Sequence, residues 1–432
     1  MHAQTSPLSL HHSLVLLWWA VVLAMLPACA FCGAELPCSD DDNCPDTLPF
    51  CVDQRCSATP GPGDDEGEGE GEGEGEGEGE GEGEGEDPPF SPCCDFISTD
   101  VPGNAYGLEL NHANVAQLLV EAPFTEPGAD RSLQLGRFTG NSFALSPIVN
   151  DVGTTSNDLV IDGKGQLYLV RASSALVTVG VLSGDAWNYE DVAGLEDPFI
   201  VDTAVAAGLP DGGLAVLVAH VDRNVGGGTY RVSLVVGSAG DWITTPVTSN
   251  VRDLSLIGVG AFEDVPFPGL SSTVVAAYSS NGTAYVVQKV PTATTVTPLL
   301  ETSAIGRPRM AVGAYGDVHL VGPTVGDSTT THVSGWDGSF TTETLPADPS
   351  EQFSPLGVAI DILGTLWFTD VKTTNDGRRV LRIVRHRGAR FDLTDVVTFD
   401  AASSLAGGAE LRLAWDSPHL LVGSVYMQSS FQ

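Results

Sequence analysis

The stretch "LVIDGKGQLYLV" (159–170) reads as one short apolar strand, a tight turn and a second apolar strand. Leu159 to Ile161 and Leu167 to Val170 are strand formers. Asp162 to Gly165 is turn chemistry, with an Asp to hydrogen-bond nearby backbone and glycines free to take unusual dihedrals. Six more stretches follow the same plan: "LELNHANVAQLLV" (108–120), "AVAAGLPDGGLAVLV" (204–218), "GAFEDVPFPGLSSTVVAAY" (260–278), "MAVGAYGDVHLV" (310–321), "VAIDILGTLWFT" (358–369) and "LRLAWDSPHLLV" (411–422). One marker in each second strand gives Leu119, Leu169, Leu217, Val275, Leu320, Phe368 and Leu421. Their spacings are 50, 48, 58, 45, 48 and 53, and the longest contains the inserted "PFPGLSS". A fixed period near 50 residues is the mark of a repeat architecture.

A second series runs in phase with the first. A glycine turn precedes an aromatic at Phe143, Trp187, Trp242, Phe340 and Phe391, lying 24, 18, 25, 20 and 23 residues after the first marker of the same repeat. Two hairpins per repeat make four strands, the content of a propeller blade. Residues 93–432 are therefore predicted to be all-β, a seven-bladed β-propeller, with six or eight blades as alternatives. The blade count carries a second expectation. After the last first-series hairpin, only "GSVYMQSSFQ" (423–432) remains, enough for one strand. The missing strand of the seventh blade is expected from residues 95–100, paired with Val425 to Ser429.

The repeat resembles a bacterial propeller repeat of the sialidase-like kind, "W-x-x-E-x-V" leading into "L-A-x-D-x-x-G-x-x-H". Trp187, Glu190 and Val192 carry the first part; Asp361, Gly364 and His319 carry elements of the second. The S-x-D-x-G-x-x-W boxes of true sialidases are absent, so that family's active site is not carried over.

The first 92 residues have a different composition. "LVLLWWAVVLAML" (14–26) is a thirteen-residue apolar run, short for a membrane span and suited to an export signal, residues 1–28. Two processing readings compete. "LPAC" resembles a bacterial lipobox and would lipidate Cys29; "ACA" (28–30) fits simple secretion. All eight cysteines lie at or before residue 94. Residues 29–60 form a cysteine-rich module in which Cys38, Cys44, Cys51 and Cys56 are expected in disulfides, as oxidising compartments allow. The C-x5-C-x6-C-x4-C spacing matches neither zinc pairs nor an EF-hand register. It resembles the small two-disulfide knots of exported myxobacterial proteins, and leaves three pairings open. Residues 61–92 form an acidic Glu-Gly linker. Eleven Glu alternate with Gly from Glu66 to Glu86. Nothing apolar offsets chain entropy, and neighbouring charges repel, so the tract is expected to be a disordered spacer.

Function is less legible. The chain has a formal charge of −37, and residues 95–432 hold 36 acidic against 18 basic residues, which argues against nucleic-acid binding. No nucleophile elbow, H-E-x-x-H or phosphate loop is present, so no catalytic residue, metal site or cofactor is assigned. Six histidines are scattered through the propeller: His112, His220, His319, His332, His386 and His419. His319 and His419 follow turns in equivalent strands and are candidates to face the axis. One basic cluster departs from the acidic background: Arg378, Arg379, Arg382, Arg385, Arg387 and Arg390. It reads either as an anion-binding patch or as a charged strand that discourages edge pairing. Together these features describe a monomeric, lipid-anchored protein of the cell envelope or outer membrane, or a fully secreted one. Its propeller would bind a glycan or protein ligand at the cell surface; the alternative is a glycan hydrolase or lyase using the central face of the propeller.

Overall fold

The computed structural model describes residues 50–52, 55–57 and 95–430, apart from 102, 123–130, 152–153, 193–198, 223–227, 239, 264–271, 328, 337, 346–354, 375, 388–389, 400–408, 415–416 and 423–424. The export signal, Cys29, Cys38, Cys44, the Glu-Gly linker, Cys93 and Cys94 lie outside the described residues. The chain divides into two units, 1–85 and 86–432. In the first, Phe50–Val52 pairs with Arg55–Ser57 as an antiparallel hairpin whose register sets Cys51 opposite Cys56.

The second unit is a seven-bladed β-propeller, each blade a four-stranded antiparallel sheet, and no helix occurs among the described residues. Blade 1 runs through Asn104–Leu110, Ala116–Glu121, Arg131–Phe138 and Phe143–Asp151. Blade 2 uses Thr154–Ile161, Leu167–Ser173, Val177–Ser183 and Ala186–Asp191. Blade 3 is Phe199–Gly208, Leu214–Asp222, Tyr230–Ser238 and Asp241–Val251; blade 4 is Ser255–Phe262, Thr273–Ser280, Thr283–Lys289 and Thr297–Thr302. Blade 5 comprises Arg309–Val312, Val318–Pro323, Thr330–Trp336 and Ser339–Leu345. Blade 6 comprises Val358–Ile360, Leu366–Thr373, Arg379–Arg387 and Arg390–Phe399. Blade 7 takes three strands from the C-terminus, Ala409–Ala414, Ser417–Val422 and Val425–Ser430, and its outer strand, Asp95–Asp100, from the other end of the chain.

All seven apolar markers fall in second strands and are buried. The five aromatic markers fall in fourth strands. Blade 4 lacks an aromatic there, and Val296 and Leu299 pack in its place. Seven apolar clusters fill the seven interfaces. Leu119, Leu135, Leu159 and Leu169 join blades 1 and 2, for example, and Leu118, Val120, Leu421 and Tyr426 join blades 7 and 1. The first strands touch in sequence around the axis and line it. Crowding there explains their small residues. A Cβ on Gly208 of blade 3 would lie 2.1 Å from the carbonyl oxygen of Ile161 in blade 2.

The turn in the opening stretch has a defined construction. Asp162 Oδ1 accepts from the backbone N–H groups of Lys164 and Gln166, both at 2.9 Å, and Oδ2 accepts from the Tyr168 hydroxyl at 3.0 Å. Asp361 repeats this on Leu363, Thr365 and the Trp367 indole. Asn111 makes the two backbone contacts in blade 1. The residue three positions on takes positive φ each time: Gly165 at 80°, Gly364 at 77°, Asn114 at 58°. The D-x-x-G pattern is thus a side-chain-capped hairpin turn that needs a left-handed residue.

Closure of blade 7 matches the expectation. Residues Asp95 to Asp100 pair antiparallel with Ser430 to Val425. The third strand that they cover carries Tyr426 and Met427, 0 % and 2 % exposed, which seal the interfaces on its two sides. Deleting residues 423–432 removes both anchors and leaves the N-terminal strand unpaired. At about 1.5–3 kcal/mol per buried side chain, the propeller should melt roughly 10 °C lower by circular dichroism. An unchanged melting temperature would show that the ring does not depend on this strand.

Candidate functional site

The first strands enclose an axial cavity of about 720 Å³, and its charged lining comes from four blades. Blade 1 supplies Glu109, blade 2 Asp158, blade 5 Arg309, and blade 7 Glu410 and Arg412. Each sits on an inner strand, where alternation along the strand aims it at the axis. Tyr106 also lines the cavity, is 43 % exposed, and donates its hydroxyl hydrogen to Glu121 Oε2.

These groups are tied to the walls. Arg412 donates from Nη2 and Nε to Glu109 Oε1 at 2.9 and 3.2 Å, linking blade 7 to blade 1. Glu410 Oε2 accepts from the Leu108 backbone N–H at 2.7 Å across the same interface. Asp158 Oδ2 accepts from Ala206 N–H at 2.9 Å, linking blade 2 to blade 3, and Ser156 Oγ accepts from Ala204 N–H at 3.1 Å beside it. The cluster therefore belongs to a rigid wall, a good platform for recognition.

Its electrostatics favour one neutral carboxyl. Burial pushes Asp158 up to about 7, and Glu410 and Glu109 add to the rise; the Ala206 N–H and Arg412 oppose it. Burial also raises Glu410, against the pull of Arg412. Arg412 is held more firmly protonated than a free arginine, chiefly by Glu109. At neutral pH Asp158 is poised to give a proton or take one, so it serves as donor or acceptor.

A raised folded-state pKa favours the protonated native form. The contribution is fully present below the unfolded value near 3.8 and is lost as pH rises through about 7. Asp158→Asn keeps an oxygen for the Ala206 N–H and cannot ionise. Urea unfolding should find the variant more stable than wild type at pH 8 by about 1–2 kcal/mol, after allowing for water in the channel, and the gain should shrink toward zero at pH 4. A gain that does not vary with pH would contradict the assignment.

The residues singled out in the sequence lie elsewhere. His319 and His419 are on second strands, and the axis is lined by first strands, so neither reaches the cavity. His419 instead bonds the Tyr426 hydroxyl at 2.6 Å within blade 7. Among the described arginines, Arg382 is buried in a 2.7 Å ion pair with Asp370, on the blade 6 face toward blade 5. Arg385 lies 5.0 Å over the Trp367 ring on the opposite face, the side on which alternation also sets Arg379. Arg378 pairs with Asp376 at the turn. Arg387 and Arg390 are partners in register at the hairpin end. Alternation along the strand thus divides the cluster between two faces. Three of the scattered histidines, by contrast, converge at the interface of blades 5 and 6. His319 Nδ1 is 2.9 Å from His332 Nε2, and His332 and His386 both face Glu343.

Glu109, Asp158, Arg309, Glu410 and Arg412 were not distinguished in the sequence. The signal that marks them is a charge in the first strand of a hairpin. The "W-x-x-E" element also acquires a structural meaning. Glu190 Oε1 accepts from the Trp242 indole at 3.1 Å and Oε2 from Gly240 N–H at 2.8 Å, clipping blade 2 to the next aromatic turn in blade 3.

No family model matches the chain, and no curated protein matches it. Among solved structures, "YCF48 bound to D1 peptide" is 12% identical with a TM-score of 0.48, covering 79% of this chain and 96% of that one. Hydrazine synthase of Kuenenia stuttgartiensis is 12% identical with a TM-score of 0.50, covering 77% and 97%. At such identity the likeness concerns the fold alone, and it does not extend to the sialidase-like type. The chain is a β-propeller repeat protein, with a fold consistent with ligand or partner binding.

Proposed function

We propose that this is an exported, lipid-anchored protein of the cell envelope whose propeller binds a surface glycan in its axial cavity. The observation that carries the reading is the lining. Carboxylates and guanidinium groups stand around a cavity of about 720 Å³, beside the half-exposed ring of Tyr106. Sugar hydroxyls both donate and accept, so they match Glu109, Glu410 and Asp158 on one side and Arg309 on the other. An aromatic ring gives the apolar face of a pyranose somewhere to stack. The acidic spacer, at ~28 Å root-mean-square for an uncharged chain of its length and more when charged, gives an anchored propeller reach.

Arrays of glycans and of peptides, probed with the full chain, test the ligand class. A glycan should be retained, and Arg309→Ala should weaken binding about tenfold or more, the loss expected for a hydrogen bond to a charged group, while Asp158→Asn should weaken it less. Binding indifferent to both substitutions, or confined to peptides, would reject the axial glycan site.

One observation favours a second reading. A carboxyl raised to about 7 near other acidic groups is the arrangement of a general acid in glycoside hydrolysis. Release of reducing sugar from the retained glycan, abolished by Asp158→Asn, would move the protein to that class.

The anchor has its own test. The export signal and Cys29 support lipidation, and acyl chains contribute about 0.8 kcal/mol per buried CH₂. Cys29→Ser should release the protein from the membrane fraction into the soluble one; unchanged membrane association rejects lipidation at that residue.

A further inference from the structure

We infer that His332, Glu343 and His386 form a zinc-class divalent metal site that clips blade 5 to blade 6. His332 lies on the third strand of blade 5, with Glu343 its direct partner in register on the fourth. His386 comes from the third strand of blade 6. One ligand atom from each lies within 4.8 Å of the other two. Two imidazoles and a carboxylate are a donor set that suits zinc and related divalent ions, and leave a fourth position for water.

A chain of ring and carboxyl contacts backs the trio. Asp317 Oδ2 accepts from His319 Nε2 at 2.8 Å. His319 Nδ1 lies 2.9 Å from His332 Nε2, and the two rings stack with centroids 5.1 Å apart. The other nitrogen of His332, Nδ1, faces Glu343 Oε1 at 2.6 Å. A proton between those two atoms would not reach His386 Nδ1, which lies 3.8 Å from the same oxygen, beyond hydrogen-bond range. An ion takes all three.

Two of the three ligand pairs bracket the spacing that one ion imposes, and the third lies within 4.8 Å. Two ligands at about 2.0–2.1 Å from a tetrahedral zinc lie about 3.3 Å apart, between the 2.6 and 3.8 Å found here. Glu343 can make the adjustment, since its side chain is 49% exposed. The imidazoles are held. The two ligand rings are nearly perpendicular, at 85°, and His386 stacks on Phe391 with centroids 4.4 Å apart. His319, itself bonded to Asp317, supplies His332 with the outer hydrogen bond that a metal-bound histidine ordinarily has.

Isothermal titration of the full, metal-stripped chain with zinc and with cobalt(II) tests the inference. The Glu-Gly linker and the cysteines also attract cations, so the variants and the cobalt spectrum carry the result. The wild type should show one saturable site with tetrahedral d–d bands and no thiolate charge-transfer band. Zinc should raise the melting temperature. Glu343→Gln, exposed enough to leave folding intact, and His386→Asn should abolish that site, and Glu343→His should restore it. His319→Phe should weaken it roughly 10- to 100-fold, as loss of an outer partner does. Absence of a saturable site, or one that persists in both Glu343→Gln and His386→Asn, overturns the inference. So does a spectrum showing thiolate ligation alone.

Discussion

Ring closure is the constraint on which the rest depends. A propeller blade buries both faces against its neighbours, and no blade has a core of its own. Each of the seven interfaces holds a separate apolar cluster, and the one between blades 7 and 1 can form only if the two chain ends meet. Its buried side chains include Leu108, Leu118, Val120, Leu421 and Tyr426, worth roughly 10 kcal/mol gross at ordinary transfer values. The N-terminal strand covers the third strand of blade 7, so opening the ring would expose a strand edge as well as that apolar surface. A cyclic arrangement of marginal sheets thereby becomes one cooperative body.

Closure also creates the site. Seven inner strands brought to one axis leave a cavity that a single sheet cannot, and whatever polar residues those strands carry must face each other there. The cost of gathering Glu109, Asp158 and Glu410 is met by Arg412, by backbone N–H groups at Leu108 and Ala206, and by the neutrality of one carboxyl. The cavity lining and the cohesion of the ring are coupled, because the ties that hold these groups also cross the joints of blades 7 to 1 and 2 to 3. The proposed metal clip follows the same logic at the joint of blades 5 and 6, which has an apolar cluster built around Val321, Leu345 and Phe368 and a polar cluster of histidines beside it.

The repeat was legible because its determinants are local. Asp361 and Gly364 announce their turn, since the Asp caps the backbone two and four residues on and the Gly takes the left-handed conformation between. Leu119 and its six counterparts mark second strands because those strands carry continuous apolar runs buried between neighbouring blades. Blade count, strand order and the use of both termini all follow from repeating that short pattern until the chain runs out. The arginine cluster shows the limit of such reading. Three residues apart, Arg382 and Arg385 stand on opposite faces of one strand, one against Asp370 and one over Trp367.

The sequence by itself determined the seven blades, their hairpins and the closing strand, as consequences of turn chemistry and of apolar residues a few positions apart. Only the tertiary structure decided which charged residues meet. Arg412 and Glu109 are 303 residues apart and share a hydrogen bond at 2.9 Å. His332 and His386 belong to different blades and face one carboxylate. Such meetings depend on the rotation from blade to blade and on the register within each sheet. Both are sums of many small packing terms, and no single residue or spacing along the chain records them.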